Sequence, residues 1–288
     1  MGVRKYFDFV RFEHTVFALP FALASMVVAV PPGRHGWPGW RTFLLILAAM
    51  VCARTAAMGF NRIVDRKFDT LNPRTAQRHL PTGQLSVRGA WCVVIAAAVG
   101  LVVVTWFINP ICFYLSPVAL AVVFFYSVTK RFTDFSHFFL GLALALAPLG
   151  AWLAVRGDFS QLWPPVVLAL AVVFWLVGFD IIYATQDYEA DKTQGLHSLP
   201  VRWGISRALR FARAAHLVMV GLLLAFGLIS GMRVPYYVGL VVIFTCLGVE
   251  HKLAQHRDPA RVNVAFFRMN ALISVVLLAA VVVDVVSR

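Results

Sequence analysis

The sequence predicts an all-α fold, a polytopic membrane protein with nine transmembrane helices in one bundle and a cytoplasmic N-terminus. Three observations carry this reading. Its 288 residues are 60% hydrophobic and 14% charged, whereas soluble domains hold about 45–50% apolar and about 25% charged residues. Apolar runs long enough to cross a bilayer recur along the whole chain. The loops between those runs alternate between rich and poor in lysine and arginine, as the positive-inside rule requires.

The spans are read in order. The first, 14–31, follows Arg4, Lys5 and Arg11; with further spans behind it, this is a retained helix rather than a cleaved signal peptide. The second, 41–60, runs into a charged loop. Spans 90–107 and 110–128 meet at a short Asn109-Pro110 turn. Spans 136–155, 163–185, 211–230, 235–252 and 264–286 complete the nine. A cytoplasmic N-terminus puts 20 basic residues on the cytoplasmic side and 5 on the other, with Arg54 inside a span. The net charge of +13 is therefore mostly topology, plus attraction to anionic headgroups. No soluble basic domain exists to hold nucleic acid. Cys52, Cys92, Cys112 and Cys246 sit in apolar runs without a CxxC pair and read as small hydrophobes. The 8 histidines make no HExxH, so a zinc hydrolase has no support.

The acids carry a repeat. Asn61, Asp65 and Asp69 stand at steps of four, and 122 residues later Tyr183, Asp187 and Asp191 stand at the same steps. Each set closes an apolar span and opens a charged cytoplasmic loop. Residues i and i+4 share a helix face with Cβ atoms about 5–6 Å apart, and like charges there repel. Partial desolvation near a membrane raises that cost, so something positive must compensate. Arginine or lysine would serve, but two facing pairs suit a divalent cation better. Mg²⁺ takes one or two carboxylates and completes its shell with water and substrate phosphates; nearby arginines and lysines suit the remaining phosphate oxygens. The bland alternative, solvated helix ends, is weakened by the identical spacing and placement of both pairs. Glu250 and Asp284, near span ends, read as interfacial charges. Arg54 and Asp180 precede Asn61 and Asp187 by two helical turns and face their own motifs. Either they pair with each other or they touch substrate.

The two motifs, NRIVDRKFD from Asn61 to Asp69 and DIIYATQDYEAD from Asp180 to Asp191, resemble those of the UbiA superfamily of intramembrane prenyltransferases. HTVFALPFAL (His14 to Leu23), NPRTAQRHLPTG (Asn72 to Gly83), YSVTKRFT (Tyr126 to Thr133) and GLHSLPVRWG (Gly195 to Gly204) are similar to further stretches of that family. His79 departs from it, since many relatives carry proline there. The resemblance implies a single prenyltransferase domain over 1–288 that moves a prenyl chain from a polyprenyl diphosphate to an acceptor, commonly aromatic, with Mg²⁺. Asp65, Asp69, Asp187 and Asp191 would hold the metal. Arg74, Arg78, Lys130 and Arg131 occupy the family's basic stretches and would hold diphosphate.

Asp65 and Asp187, with Asn61 and Tyr183 one turn before them, are then the expected catalytic residues. Tyr183 supplies an aromatic face to an allylic cation; Tyr126 is the second such ring. Arg11, His14, Arg54 and Asp180 are the expected acceptor contacts, with Arg131 equally suited to an acceptor carboxylate. The branch resembled most takes 4-hydroxybenzoate in respiratory-quinone biosynthesis. The alternative is 1,4-dihydroxy-6-naphthoate in the futalosine route to menaquinone. The expected partners are polyprenyl diphosphate, an aromatic acid and membrane lipid, at a multi-pass inner (plasma) membrane location with the site facing the cytoplasm. A secondary transporter is the rival from another class, but transporter sites sit near the midplane, whereas these acids close helices. A phospholipid-forming alcohol phosphotransferase would need a DG-x-x-AR run, which the sequence lacks.

Overall fold

The computed structural model describes residues 15–255 and 258–288; the expected acceptor contacts Arg11 and His14 lie outside them. Eight described helices have the length and hydropathy to cross a bilayer. The apolar helix α1, Thr15–Ala29, is shorter at 15 residues. Helix α2 spans Trp40–Val64, α3 Arg66–Leu71, α4 Val87–Ile108, α5 Pro110–Thr129 and α6 Ser136–Arg156. Helix α7 covers Trp163–Ala184, and a 3₁₀ turn, Thr185–Asp187, leads into α8, Tyr188–Thr193. Helices α9, Leu199–Trp203, α10, Ile205–Ile229, and α11, Val234–Gln255, follow. The last element joins α12, Pro259–Val264, through a π-helical turn, Ala265–Met269, to α13, Asn270–Val286. No strand occurs among the described residues.

Local chemistry sets the boundaries. Asn109 caps α5 by accepting the Cys112 N–H at 2.8 Å, and Pro110 takes the first helical position, where its missing N–H costs nothing. Asn109 also donates from Nδ2 to the Leu153 carbonyl at 2.9 Å, tying this turn to α6. Ser86 caps α4 through Gly89. Helix α10 begins at Ile205, six residues before the predicted span, because ISRALRFARAAHL is amphipathic rather than apolar. Arg207, Arg210 and Arg213 are exposed there while Ala208, Leu209 and Ala212 are buried.

Helix α7 is the centre of the bundle. It is apolar on every side and buried from Leu168 to Ile182 on nearly all faces. Helices α6 and α10 pack along it, α1 packs on α6, α13 packs on α1, and α11 closes on α13. The approach to α10 is close: a Cβ on Gly178 would lie 2.1 Å from the His216 ring. Helices α2, α4 and α5 form a second wall, and the space between this wall and α6–α7 is a cavity.

Two acids depart from the sequence expectation. Glu250 and Asp284 lie near helix ends, as expected of interfacial charges, but are fully buried, and each has polar partners inside the bundle. Asn270 donates to Glu250 Oε1 at 3.1 Å. Asp284 accepts from the Arg233 N–H at 2.6 Å and from Arg288 at 2.8 Å. A buried carboxylate persists only when such partners offset its lost hydration.

Candidate active site

Both acidic motifs fold in the same way. Helix α2 ends at Asp65 (φ −88°, ψ 1°) and α3 begins one residue later. Helix α8 likewise starts after Asp187 (φ −97°, ψ 3°). These are bridge-region conformations, sparsely populated and common at active sites. The kink does not lose the register: Asp65 N–H still bonds the Asn61 carbonyl at 2.9 Å, and Asp69 N–H bonds Asp65 at 2.8 Å. Each helix thus breaks at its first aspartate and presents both acids on one side.

The two sides face one cavity of about 690 Å³, lined by all four aspartates, Asn61, Tyr126, Asp180 and Tyr183. Three of the four carboxylate side chains are nearly buried, with 8% of Asp69, 9% of Asp187 and 5% of Asp191 exposed. Every one of the four meets a cation, and those cations are the four basic residues expected at diphosphate. Arg74 grips Asp187 with two bonds, 2.8 and 2.6 Å. Arg78 reaches Asp69 at 2.6 Å, Lys130 reaches Asp191 at 3.1 Å and Arg131 approaches Asp65 at 3.5 Å. The basic loop after the first motif therefore binds both motifs, and so does the turn between α5 and α6.

The charges act on one another. Burial, then the neighbouring Asp69 charge, pushes the Asp65 carboxyl up to about 6 against the pull of Arg131 and Lys130. Burial opposes the Lys130 ammonium, yet Asp191, Asp187 and Asp180 outweigh it and raise its pKa. Burial also opposes the Arg74 guanidinium, and the bonds to Asp187 outweigh it in the same way.

The donor set fits a hard divalent cation, since all four candidate ligands are carboxylates. Asp69 Oδ2 is buried and has no hydrogen-bond partner, an orphan that a metal ion would satisfy. Among the described residues, no three His, Cys, Asp or Glu side chains form a ready-made metal cluster; the four motif acids are each met by a guanidinium or ammonium group instead.

The other expected residues divide. Asn61 donates to Asp65 Oδ2 at 2.8 Å. The Tyr183 ring lies 4.9 Å below the Arg74 guanidinium carbon, and its hydroxyl accepts from Arg74 at 2.7 Å. Arg54 and Asp180 both line the cavity, but the hydrogen-bond partner of Asp180 is His137, with Nδ1 2.6 Å from Oδ2, rather than Arg54. His137 is wholly buried at the start of α6 and was not foreseen; one histidine in an apolar span carries no spacing signal. Asn72 was also missed as a site residue. It donates to Asp187 at 2.9 Å while its Oδ1 caps the Arg74 N–H, an Asx turn that the Asn72-Pro73 pair signals.

Below this polar mouth the cavity is apolar. Its wall on α2 runs from Ile46 to Asp65, about 28 Å of helix. Leu115, Val118 and Phe159 line it and are themselves exposed, so its apolar part reaches the outer surface of the bundle.

Comparison with known proteins shows the family and the fold. The UbiA prenyltransferase family matches residues 18–272. A 4-hydroxybenzoate octaprenyltransferase of Pseudomonas aeruginosa is 33% identical over 228 residues, covering 78% of this chain and 75% of that protein. The apo structure of a UbiA homologue from Aeropyrum pernix superposes with TM-score 0.84 at 31% identity, over 94% of this chain and 98% of that one. A UbiA homologue from Archaeoglobus fulgidus bound to DMAPP and Mg²⁺ shares the fold, with TM-score 0.74 at 22% identity over 98% and 99% of the two chains. This membership sets the transporter alternative aside. The match runs from α1 into α13 and takes in both acidic motifs, so the chain belongs to the UbiA prenyltransferase family and is an intramembrane prenyltransferase.

Proposed function

We propose that the protein transfers a polyprenyl group from polyprenyl diphosphate to 4-hydroxybenzoate, with Mg²⁺, in respiratory-quinone biosynthesis. The observation that carries the reading is the pairing of four motif carboxylates with four cations around one cavity. Such a set is neutral as it stands and separates into two complementary halves. The carboxylates of Asp65, Asp69, Asp187 and Asp191 are then available to metal. Arg74, Arg78, Lys130 and Arg131 are available to phosphate oxygens, which arginine forks fit bidentately. The Archaeoglobus fulgidus homologue bound to DMAPP and Mg²⁺ supports this assignment.

Bound Mg²⁺ supplies Lewis-acid neutralisation of the leaving diphosphate. The chain's own residues do the rest. Arg74, Arg78, Lys130 and Arg131 take up charge on the departing oxygens as the allylic C–O bond breaks. When Arg74 moves to phosphate, the Tyr183 face it now covers is freed for the allylic cation. The ring carbon of the acceptor attacks that cation, and loss of its proton restores aromaticity. The apolar depth of the cavity houses the tail and excludes water. Arg54, on the cavity wall, is the partner for the acceptor carboxylate, and Asp180, held by His137, faces the same space.

The name of the Pseudomonas aeruginosa relative supports 4-hydroxybenzoate over the dihydroxynaphthoate. The single domain over 1–288, the cytoplasmic N-terminus and the plasma-membrane location with a cytoplasmic site belong to the same proposal, supported by the 20 to 5 division of basic residues. The test offers purified protein an allylic diphosphate with each of the two aromatic acids, with and without Mg²⁺, and identifies products by mass. Prenylated 4-hydroxybenzoate formed only with Mg²⁺ is expected. Exclusive prenylation of the dihydroxynaphthoate, or equal yield after chelation, contradicts the proposal.

A further inference from the structure

A polar network lies outside the cavity, in the packed half of the bundle. Its hub is Asn270, fully buried at the first position of α13. Trp175 of α7 donates its indole N–H to Asn270 Oδ1 at 2.7 Å. Asn270 Nδ2 donates to Glu250 of α11 at 3.1 Å and to the carbonyls of Ala265 and Phe266 at 3.3 and 3.0 Å. Glu250 and Trp175 are also fully buried. Three helices therefore meet at one amide, and that amide bonds carbonyls of the π-helical turn Ala265–Met269. A π turn departs from the regular helical ladder and is often found at functional sites. Here it turns Phe266 toward α7, where its ring stacks on Tyr183 at 4.0 Å between centroids and 28° between planes. Tyr183 in turn meets Arg74, which holds Asp187.

We propose that Asn270 is a positioning residue for the reaction: by pinning the π turn to Trp175 and Glu250, it holds Phe266 against Tyr183 and fixes the plane of the tyrosine ring that faces the cavity. This rests on the reading of Tyr183 as the ring that faces the allylic cation. An aromatic side chain anchored only by its own torsions rocks within a broad χ2 well. A stacked neighbour narrows that freedom, and buried polar bonds fix the neighbour because leaving them unmade is costly. The catalytic consequence is a choice of fate. A cation held against a fixed ring waits for the acceptor, whereas a loosely held one is captured by water as prenyl alcohol.

The experiment compares Asn270→Ala, Phe266→Leu, their double variant and Glu250→Gln in the purified full-length protein, each also labelled with 3-fluorotyrosine at position 183. The fluorine resonance reads ring packing, and the ratio of prenyl alcohol to prenylated acceptor reads catalysis. Asn270→Ala and Phe266→Leu are each expected to shift the resonance and to raise the alcohol share roughly three- to tenfold, the range of a lost aromatic pair. The KM for prenyl diphosphate stays close to that of the parent. The double variant adds nothing further, and Glu250→Gln, which keeps the acceptor oxygen, behaves like the parent. An unmoved resonance in Asn270→Ala overturns the proposal, as does a double variant whose effects add. A shifted resonance with unchanged partition leaves the positioning standing and overturns the reading of Tyr183. If Asn270→Ala fails to fold, Trp175→Phe removes one bond to Asn270 and takes its place with the same expectations.

Discussion

Arg74 and Asp187, 113 residues apart, are joined by two hydrogen bonds, from Nε at 2.8 Å and Nη2 at 2.6 Å. The fork ties the loop after the first acidic motif to the break inside the second. It makes one site from two distant stretches of chain, and it keeps a buried carboxylate neutralised by a group whose geometry also suits diphosphate.

Replacing Arg74 with lysine keeps the charge and loses the fork. Apparent KM for the prenyl diphosphate is expected to rise about tenfold, in line with one charge-assisted bond, with little change in KM for the aromatic acid. Steady-state kinetics in detergent check this; a rise confined to the acid would assign Arg74 to the acceptor instead.

Asp65→Asn and Asp187→Asn each remove one candidate metal ligand without removing volume. Prenyl transfer is expected to fall by at least about a thousandfold, comparable to losing a main electrostatic stabiliser of a transition state, while size-exclusion profile and helical circular dichroism stay as in the parent. Parental turnover in both variants would end the metal assignment.

Arg54→Ala separates the substrates from the other side. Arg54 lines the cavity on α2, two turns before Asn61. KM for 4-hydroxybenzoate is expected to rise about tenfold or more with KM for the diphosphate unchanged. An unchanged KM for the acid would remove Arg54 from the acceptor site.

Gly178→Ala probes the packing of α7 on α10. The added Cβ would lie 2.1 Å from His216, and that ring cannot swing aside freely, held by His251 at 2.9 Å and the Trp175 carbonyl at 3.1 Å. A loss of about 1–3 kcal/mol is expected, read as a lower melting temperature. Gly178→Ala combined with His216→Ala should recover part of it. An unaltered melting temperature would mean that these helices separate more easily than the contact implies.

The membrane bundle was legible because a bilayer imposes a length rule on apolar runs, and the candidate site was legible because Asp65, Asp69, Asp187 and Asp191 repeat one helical spacing at the ends of two apolar spans. The start of α10 was hidden by Arg207, Arg210 and Arg213, which lower hydropathy without breaking helical periodicity. The pairing of Arg74 with Asp187 crosses the whole fold and leaves no local mark. Symmetric placement left Asp180 either paired with Arg54 or touching substrate; its partner His137 comes from a third helix, and single residues on separate helices show no spacing. Glu250 looked interfacial because its partner, Asn270, sits at a π turn that sequence periodicity does not reveal.

The most direct measurement is an experimental structure with Mg²⁺ and a non-reactive prenyl thiodiphosphate. Metal density is expected between the Asp65–Asp69 and Asp187–Asp191 carboxylates, with Arg74, Arg78, Lys130 and Arg131 turned from those acids onto the phosphate oxygens. A diphosphate bound elsewhere, with the Arg74–Asp187 fork and its three companion pairs intact, would contradict the account.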